Sequence, residues 1–248
     1  MSERPENYIC PDCGLESEPI SLGFAGRWMS RTSCPVCSER RRKQEEQGAI
    51  VLQIDSMTAD LGEILVSRGI SEMFINASLE QFTGTKQRLH EGPKGIFMSG
   101  PCGTGKTHYM AAVMRKLSLD ILAKGKESMR VPHEGMFPLF VSFPDLLSMI
   151  RATFNSRTQE NEASLIDRYC ECDTVFFDDV GAGHITPWGM SIIFLIVDRR
   201  YREMKKTFFT SNLTIGELSR ELDDRIASRI AGMSRPINLT GADRRLQG

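Results

Sequence analysis

The stretch Gly100–Thr107, GPCGTGKT, constrains the fold of this chain more than any other part of its sequence. Its spacing, G-x-x-x-x-G-K-T, is met by Gly100, Gly105, Lys106 and Thr107, and the loop lies between a short apolar run, GIFMS (95–99), and an amphipathic stretch from Lys106 to Ala123. Strand, glycine loop and helix in that order make a cradle: backbone N–H groups wrap a phosphate chain and the positive end of the helix faces it. The cradle is predicted to comprise Gly100, Pro101, Cys102, Gly103, Thr104, Gly105, Lys106 and Thr107, with His108 just inside the helix. Lys106 is placed to reach the β and γ phosphates of a nucleotide, and Thr107 to ligate Mg²⁺. Cys102 reads as a small loop residue.

From Asn76 onward short apolar runs alternate with longer amphipathic ones. This pattern predicts an α/β fold, a mostly parallel sheet covered by helices on both faces. LFVSF (139–143), TVFFDD (174–179) and TFFTSN (207–212) read as further strands, with helices opening at Pro144 and at Thr186–Pro187. Two carboxylates stand at the end of TVFFDD, and adjacent strand residues face opposite ways. Asp178 is therefore expected to hold Mg²⁺ through water, and Asp179 to polarise an attacking water. Asn212, ending the next strand, can hold that water against the γ-phosphate, although Asn after a strand is also an ordinary turn residue.

Thr214 and Glu217 form a T-x-x-E capping box. The helix it opens is expected to bury Leu218, Leu222, Ile226 and Ile230 on one stripe. Arg225 has Glu221 four residues before it as a local ion-pair partner, whereas Arg229 has no acid three or four positions away. A cation unpartnered on its own helix is a candidate to meet a phosphate held by a neighbouring subunit.

The first 38 residues hold four of the seven cysteines in two pairs, Cys10, Cys13, Cys34 and Cys37. The spacing C-x2-C-x20-C-x2-C matches a tetrahedral Zn²⁺ site, and so short a module scarcely folds without its metal. Near it stand Phe24, Arg27, Trp28 and Arg31, which can stack on single-stranded nucleic acid, dock a protein partner, or form a mini-core. The charged run SERRRKQEEQG follows, with Arg41 and Arg42 four residues before Glu45 and Glu46, and Gly48 reads as a helix stop. The expected division is a zinc-ribbon-like module at 1–47, a helical linker at 48–75, and the nucleotide-binding domain at 76–248.

A net charge of −1 excludes bulk polycation behaviour, so any nucleic-acid contact must come from local patches. The N-terminal MSERPEN lacks the apolar run of a secretory signal, and the aliphatic run Ile192–Val197 falls far short of the ~20 residues that span a bilayer. A cytoplasmic protein with no membrane contact is expected, its cysteines serving as metal ligands or buried thiols rather than disulfides.

GPCGTGKTH, VFFDDVGA, DRRY (198–201), TFFTSNL, LDDRIASRI and the terminal GADRR, in this order, resemble the AAA+ ATPases of the DnaC/DnaI helicase-loader and IstB group over roughly residues 76–248. The resemblance implies a P-loop NTPase fold of the AAA+ type and slow, assembly-dependent ATP hydrolysis in a homo-oligomer. It carries the trans-acting arginine finger to Arg229 and a γ-phosphate sensor to Arg245 in GADRR. Together with Lys106, Asp178, Asp179 and Asn212, Arg229 completes the expected catalytic set, while Arg245 joins the nucleotide-binding residues. The expected cofactors are ATP, Mg²⁺ and Zn²⁺. The resemblance also implies a zinc module that grips a hexameric replicative helicase and an ATPase domain that holds single-stranded DNA. A transposition ATPase that recruits a transposase stays open, because the ATPase motifs do not separate the two. A small-molecule phosphotransferase fits less well, since it would need an arginine-rich substrate lid; a module in which ATP only sets the conformation also stays open.

Overall fold

The computed structural model describes residues 6–21, 28–29, 33–82, 89–154, 161–183 and 185–241. Two short antiparallel pairs open the chain, β1 (Tyr8–Ile9) with β2 (Glu16–Ser17) and β3 (Ile20–Ser21) with β4 (Trp28–Met29). A 25-residue helix follows, α1 (Pro35–Ala59), then α2 (Leu61–Ser67) and two 3₁₀ turns at Glu72–Phe74 and Leu79–Gln81.

The remaining elements are β5 (Gly95–Ser99), α3 (Lys106–Ser128), β6 (Leu139–Ser142), α4 (Phe143–Thr153), α5 (Glu162–Glu171), β7 (Thr174–Asp178), α6 (Pro187–Arg202), β8 (Lys206–Ser211), α7 (Ile215–Glu221), α8 (Asp224–Met233) and β9 (Ser234–Asn238). The five strands form one parallel sheet in the order β6-β7-β8-β5-β9. Burial on both faces explains the largely apolar runs of β5 to β8, whereas the edge strand β9, SRPIN, is mostly exposed.

Side chains alternate across the sheet with the strand period of two. Phe97, Phe177 and Phe209 face α4 to α8, while Ile96, Met98, Phe176 and Phe208 face α1, α2 and α3. Aromatic rows tie neighbouring strands together on each side: Phe176 stacks on Phe208 at 4.5 Å, and Phe177 lies 5.7 Å from Phe209. Arg200 is wholly buried and acts as a clamp, donating to the carbonyls of Tyr169, Cys170, Cys172 and Lys206 and to the Thr207 hydroxyl. It binds the ends of α5 and α6 to the start of β8.

Gly48 does not stop a helix. α1 runs through it because Cys34 caps its start, Pro35 fits its first turn, and Ile50, Ile54 and Met57 pack on the second core. An Asp55–Lys126 ion pair adds a tie from α1 to α3. The expected unit boundary at 47/48 thus falls inside one continuous helix. Arg42 pairs with Glu46 at 2.5 Å as the spacing predicts, but Arg41 reaches Asp12 at 2.6 Å instead of Glu45.

The stripe expected on one helix after Thr214 is divided between α7 and α8, because Asp223 caps a new helix. Arg225 pairs with Asp223 rather than Glu221 for the same reason. No described helix is long and apolar enough to cross a membrane.

Candidate nucleotide and metal sites

The glycine loop leaves β5 at the point where the strand order reverses, the usual crevice for a ligand in an open parallel sheet. Gly100 has φ 146°, and a Cβ there would come within 2.2 Å of the Leu239 carbonyl oxygen, so the loop enters this turn only with glycine. Gly105, at φ 92°, is the N-cap of α3, and no side chain caps that helix. Its first-turn N–H groups are left for a ligand.

A cavity of about 620 Å³ opens over the loop, lined by Cys102, Gly103, Gly105, Lys106, Thr107, His108, Asp178, Asp179 and Asn212, with Met73 and Phe74 at its edge. Lys106 Nζ donates to the carbonyls of Gly100 (2.8 Å) and Pro101 (2.9 Å) and to Asn212 Oδ1 (2.8 Å). Thr104 closes the loop from within by a 2.8 Å bond to the Pro101 carbonyl. The Thr107 hydroxyl donates to Asp178 at 3.0 Å, and Thr210 bonds the same carboxylate. A buried carboxylate beside a hydroxyl is an oxygen donor set suited to a small hard cation. Burial pushes the Asp178 carboxyl up, against the opposing hydroxyl bond from Thr210; the neighbouring charge of Asp179 pushes it up as well.

β7 ends at Asp178, and Asp179 turns away with φ 53°, a left-handed value uncommon outside glycine. Two bonds hold it there: the Asp179 N–H donates to Thr210 Oγ1 at 3.0 Å, and the next N–H, of Val180, to the Thr210 carbonyl at 2.8 Å. Ser211 completes the stitching with a bond to the Val180 carbonyl. The two carboxylates therefore separate because the strand stops, and Asp179 and Asn212 both line the cavity.

Sequence reasoning missed several residues here. Thr210 lies on β8 two positions before Asn212, a signal present in TFFTSN. Gln81 and Phe82 had no such signal: the His108 ring meets Gln81 Oε1 at 2.6 Å and the Phe82 ring edge-on at 5.7 Å, contacts between segments far apart in sequence.

Arg229 does not line this cavity. It lies on α8, and the partner its own helix denies it comes from α6, where Asp198 accepts from Arg229 Nε at 2.5 Å. Arg245 lies outside the described residues, as do Phe24, Arg27, Arg31 and the side chain of Trp28.

At the N-terminus the sulfurs of Cys10, Cys13, Cys34 and Cys37 all lie within 4.8 Å of one another, with Cys13 and Cys34 at 3.6 Å. Four thiolates about 2.3 Å from one zinc would stand at such separations, so the donor set fits Zn²⁺. Backbone N–H groups of Cys34 and Cys37 bond the sulfurs of Cys10 and Cys34, as thiolate ligands require. The bond from the Cys34 N–H lowers the Cys10 thiol to about 6, while the hydrogen bond with Cys13, followed by burial, pushes Cys37 up to about 12. Four sulfurs this close cannot all ionise without a cation among them.

The sheet order, the glycine loop and the paired acids define a P-loop NTPase of the AAA+ type with a four-cysteine module before it. No protein-family model matches the chain. It is 28% identical over 181 residues to the replicative helicase loader DnaC of Buchnera aphidicola subsp. Baizongia pistaciae, covering 67% of this chain and 68% of the relative. It is 23% identical over 228 residues to the replicative helicase loader DnaI of Bacillus subtilis, covering 86% of this chain and 67% of the relative. The solved structure of DnaI superimposes with a TM-score of 0.54 at 25% identity, over 71% of this chain and 95% of that one. The chain is thus an AAA+-fold protein similar to the DnaC and DnaI helicase loaders.

Proposed function

We propose that this protein is an ATP-dependent replicative helicase loader acting in the cytoplasm. The observation that carries the reading is the convergence of Lys106, Thr107, Asp178, Asp179 and Asn212 on one cavity, in a chain similar to proteins named as helicase loaders. The units are 1–47, which would hold zinc and grip a hexameric helicase, 48–75, a helical connection, and 76–248, which would bind ATP and single-stranded DNA. Ile9, Leu15 and Val36 adjoin the cysteine pairs and are largely exposed, which supports a docking role for the module. Phe154, exposed, meets Trp188 edge-on at 5.6 Å with Arg151 over the indole at 5.3 Å, a cluster suited to stacking on bases.

In this reading the backbone of residues 100–105 and Lys106 would hold the phosphates, while Thr107 and Asp178 would hold Mg²⁺, which would supply charge neutralisation to the phosphate chain. Asp179 and Asn212 orient a water, whose oxygen attacks the γ-phosphorus as the bond to the ADP oxygen breaks. Arg229 reaches the site of the neighbouring subunit, and Arg245 senses the γ-phosphate. Hydrolysis then reports assembly of the homo-oligomer.

Affinity capture tests the reading. The Asp179→Asn variant, loaded with ATP to hold the assembled state, should retain a hexameric helicase, and replacing Cys10 and Cys13 should release it. Capture of a transposase in place of a helicase would overturn it.

A further inference from the structure

Arg229 sits in a site of its own. Its Nε donates to Asp198 at 2.5 Å, Nη1 donates to the Arg225 carbonyl at 3.1 Å, and the guanidinium carbon lies 4.8 Å from the centre of the Phe194 ring. Phe194 and Asp198 are four residues apart on α6, so one helix face supplies both the ring and the carboxylate. Asp198 is only 18% exposed at its side chain and Arg229 27%, which makes the pair better shielded than the Arg202 contact to the same carboxylate, where Arg202 is 65% exposed. Burial opposes ionisation of Asp198, yet the bond from Arg229 and the charges of Arg229 and Arg202 outweigh it and hold the carboxyl below its usual range.

A guanidinium has five N–H donors in a planar fork. Among the described residues Asp198 and the Arg225 carbonyl take Nε and one position of Nη1, and the Nη2 edge has no partner. The ring of Phe194 restricts the plane. A long side chain loses its rotamer freedom here in advance, while the edge that would grip a phosphate oxygen stays available.

We propose that Asp198 is the positioning residue of Arg229, holding it by Nε so that its free edge is presented to the nucleotide of the adjoining subunit. The inference rests on the reading of Arg229 as a trans-acting finger. Asp198 touches no substrate; it acts through the orientation of the arginine.

The test uses the full chain with ATP, Mg²⁺ and an oligo-dT strand. Asp198→Asn should lower kcat by about tenfold to a hundredfold, the scale of a misplaced group, with KM within about twofold. Asp198→Glu should recover most of the rate, and the Asp198→Asn/Arg229→Ala double variant should be no slower than Arg229→Ala alone. Mixing Asp198→Asn subunits with Lys106→Ala subunits, which cannot hold nucleotide but keep their Asp198–Arg229 pair, should raise the rate above that of either. Gain on mixing separates a defect in the presented arginine from one in the subunit's own fold or site.

An unchanged or increased kcat in Asp198→Asn would overturn the role of Asp198, as would a double variant much slower than Arg229→Ala. Full hydrolysis by Arg229→Ala would instead overturn the finger reading on which it rests.

Discussion

Asp178 has one oxygen shared between two hydroxyls and a buried setting that works against its charge. Folding raises its pKa, so the folded chain holds that proton more tightly than the unfolded chain does. The stability this gives is full at low pH and is lost as pH rises through the folded value, leaving the ionised carboxylate a net cost at neutral pH when no cation is bound. Asp178→Asn should therefore raise the Tm measured without Mg²⁺. The same variant should lose Mg²⁺-dependent ATP hydrolysis and the added stabilisation that Mg·ATP gives the parent; calorimetric scans with and without Mg·ATP check both. At this scale, the residues legible in the sequence were those whose neighbours fix their place. Lys106 and Thr107 follow the glycine loop directly, Asp178 ends β7, and Asp179 and Asn212 come directly after β7 and β8. Asp198 was not legible as the partner of Arg229, because 31 residues separate them and only the packing of α6 on α8 joins them.

Among the elements, α1 departs most from the sequence reading. A glycine after a charged run is a fair sign of a helix end, but a stop also needs the chain to gain a left-handed cap there, and here packing beyond Gly48 outweighs the glycine's cost. Gly48 is exposed, and a Cβ added to it would meet nothing within 4 Å. Gly48→Ala should stabilise the protein by about 0.5–1 kcal/mol, read as a shift in denaturation midpoint without a change in slope. Gly48→Pro should break the helix at that point, leave nucleotide binding intact, and cut helicase capture if α1 must hold the cysteine module in place. The strands β5 to β8 show the opposite case. Their apolar runs were readable because both faces of a parallel sheet are buried; the exposed edge strand β9, SRPIN, has no such run and was not legible, and neither was the break between α7 and α8, since Leu222 and Ile226 keep the helical spacing across it and only the Asp223 cap ends the run.

For the whole molecule, the question is whether the cysteine module and the sheet fold together. Among its described residues the module has no buried apolar cluster beyond Cys10, Cys34 and Cys37, so a metal held by the cysteines would supply most of their order. Its attachment to the rest is α1, whose part from Ile50 onward is fixed to α3 by core packing and the Asp55–Lys126 pair. The stretch before that, Arg40 to Lys43, is exposed and held mainly by ion pairs, one of them from Arg41 to Asp12 in the first cysteine turn. Surface pairs of this kind contribute about 0–1 kcal/mol each, too little to keep the start of α1 ordered once the cap at Cys34 is lost. Chelating zinc in the full chain should thus open Arg40–Lys43 to trypsin and leave a resistant fragment that begins near the end of this run. ATP-analogue affinity should stay within about twofold, because no group lining the nucleotide cavity comes from the module. If ATP binding falls together with the metal, order in the sheet depends on the cysteine turns and the two units fold as one; if trypsin finds no new site, the ion pairs and helix propensity of α1 hold its start without the cap.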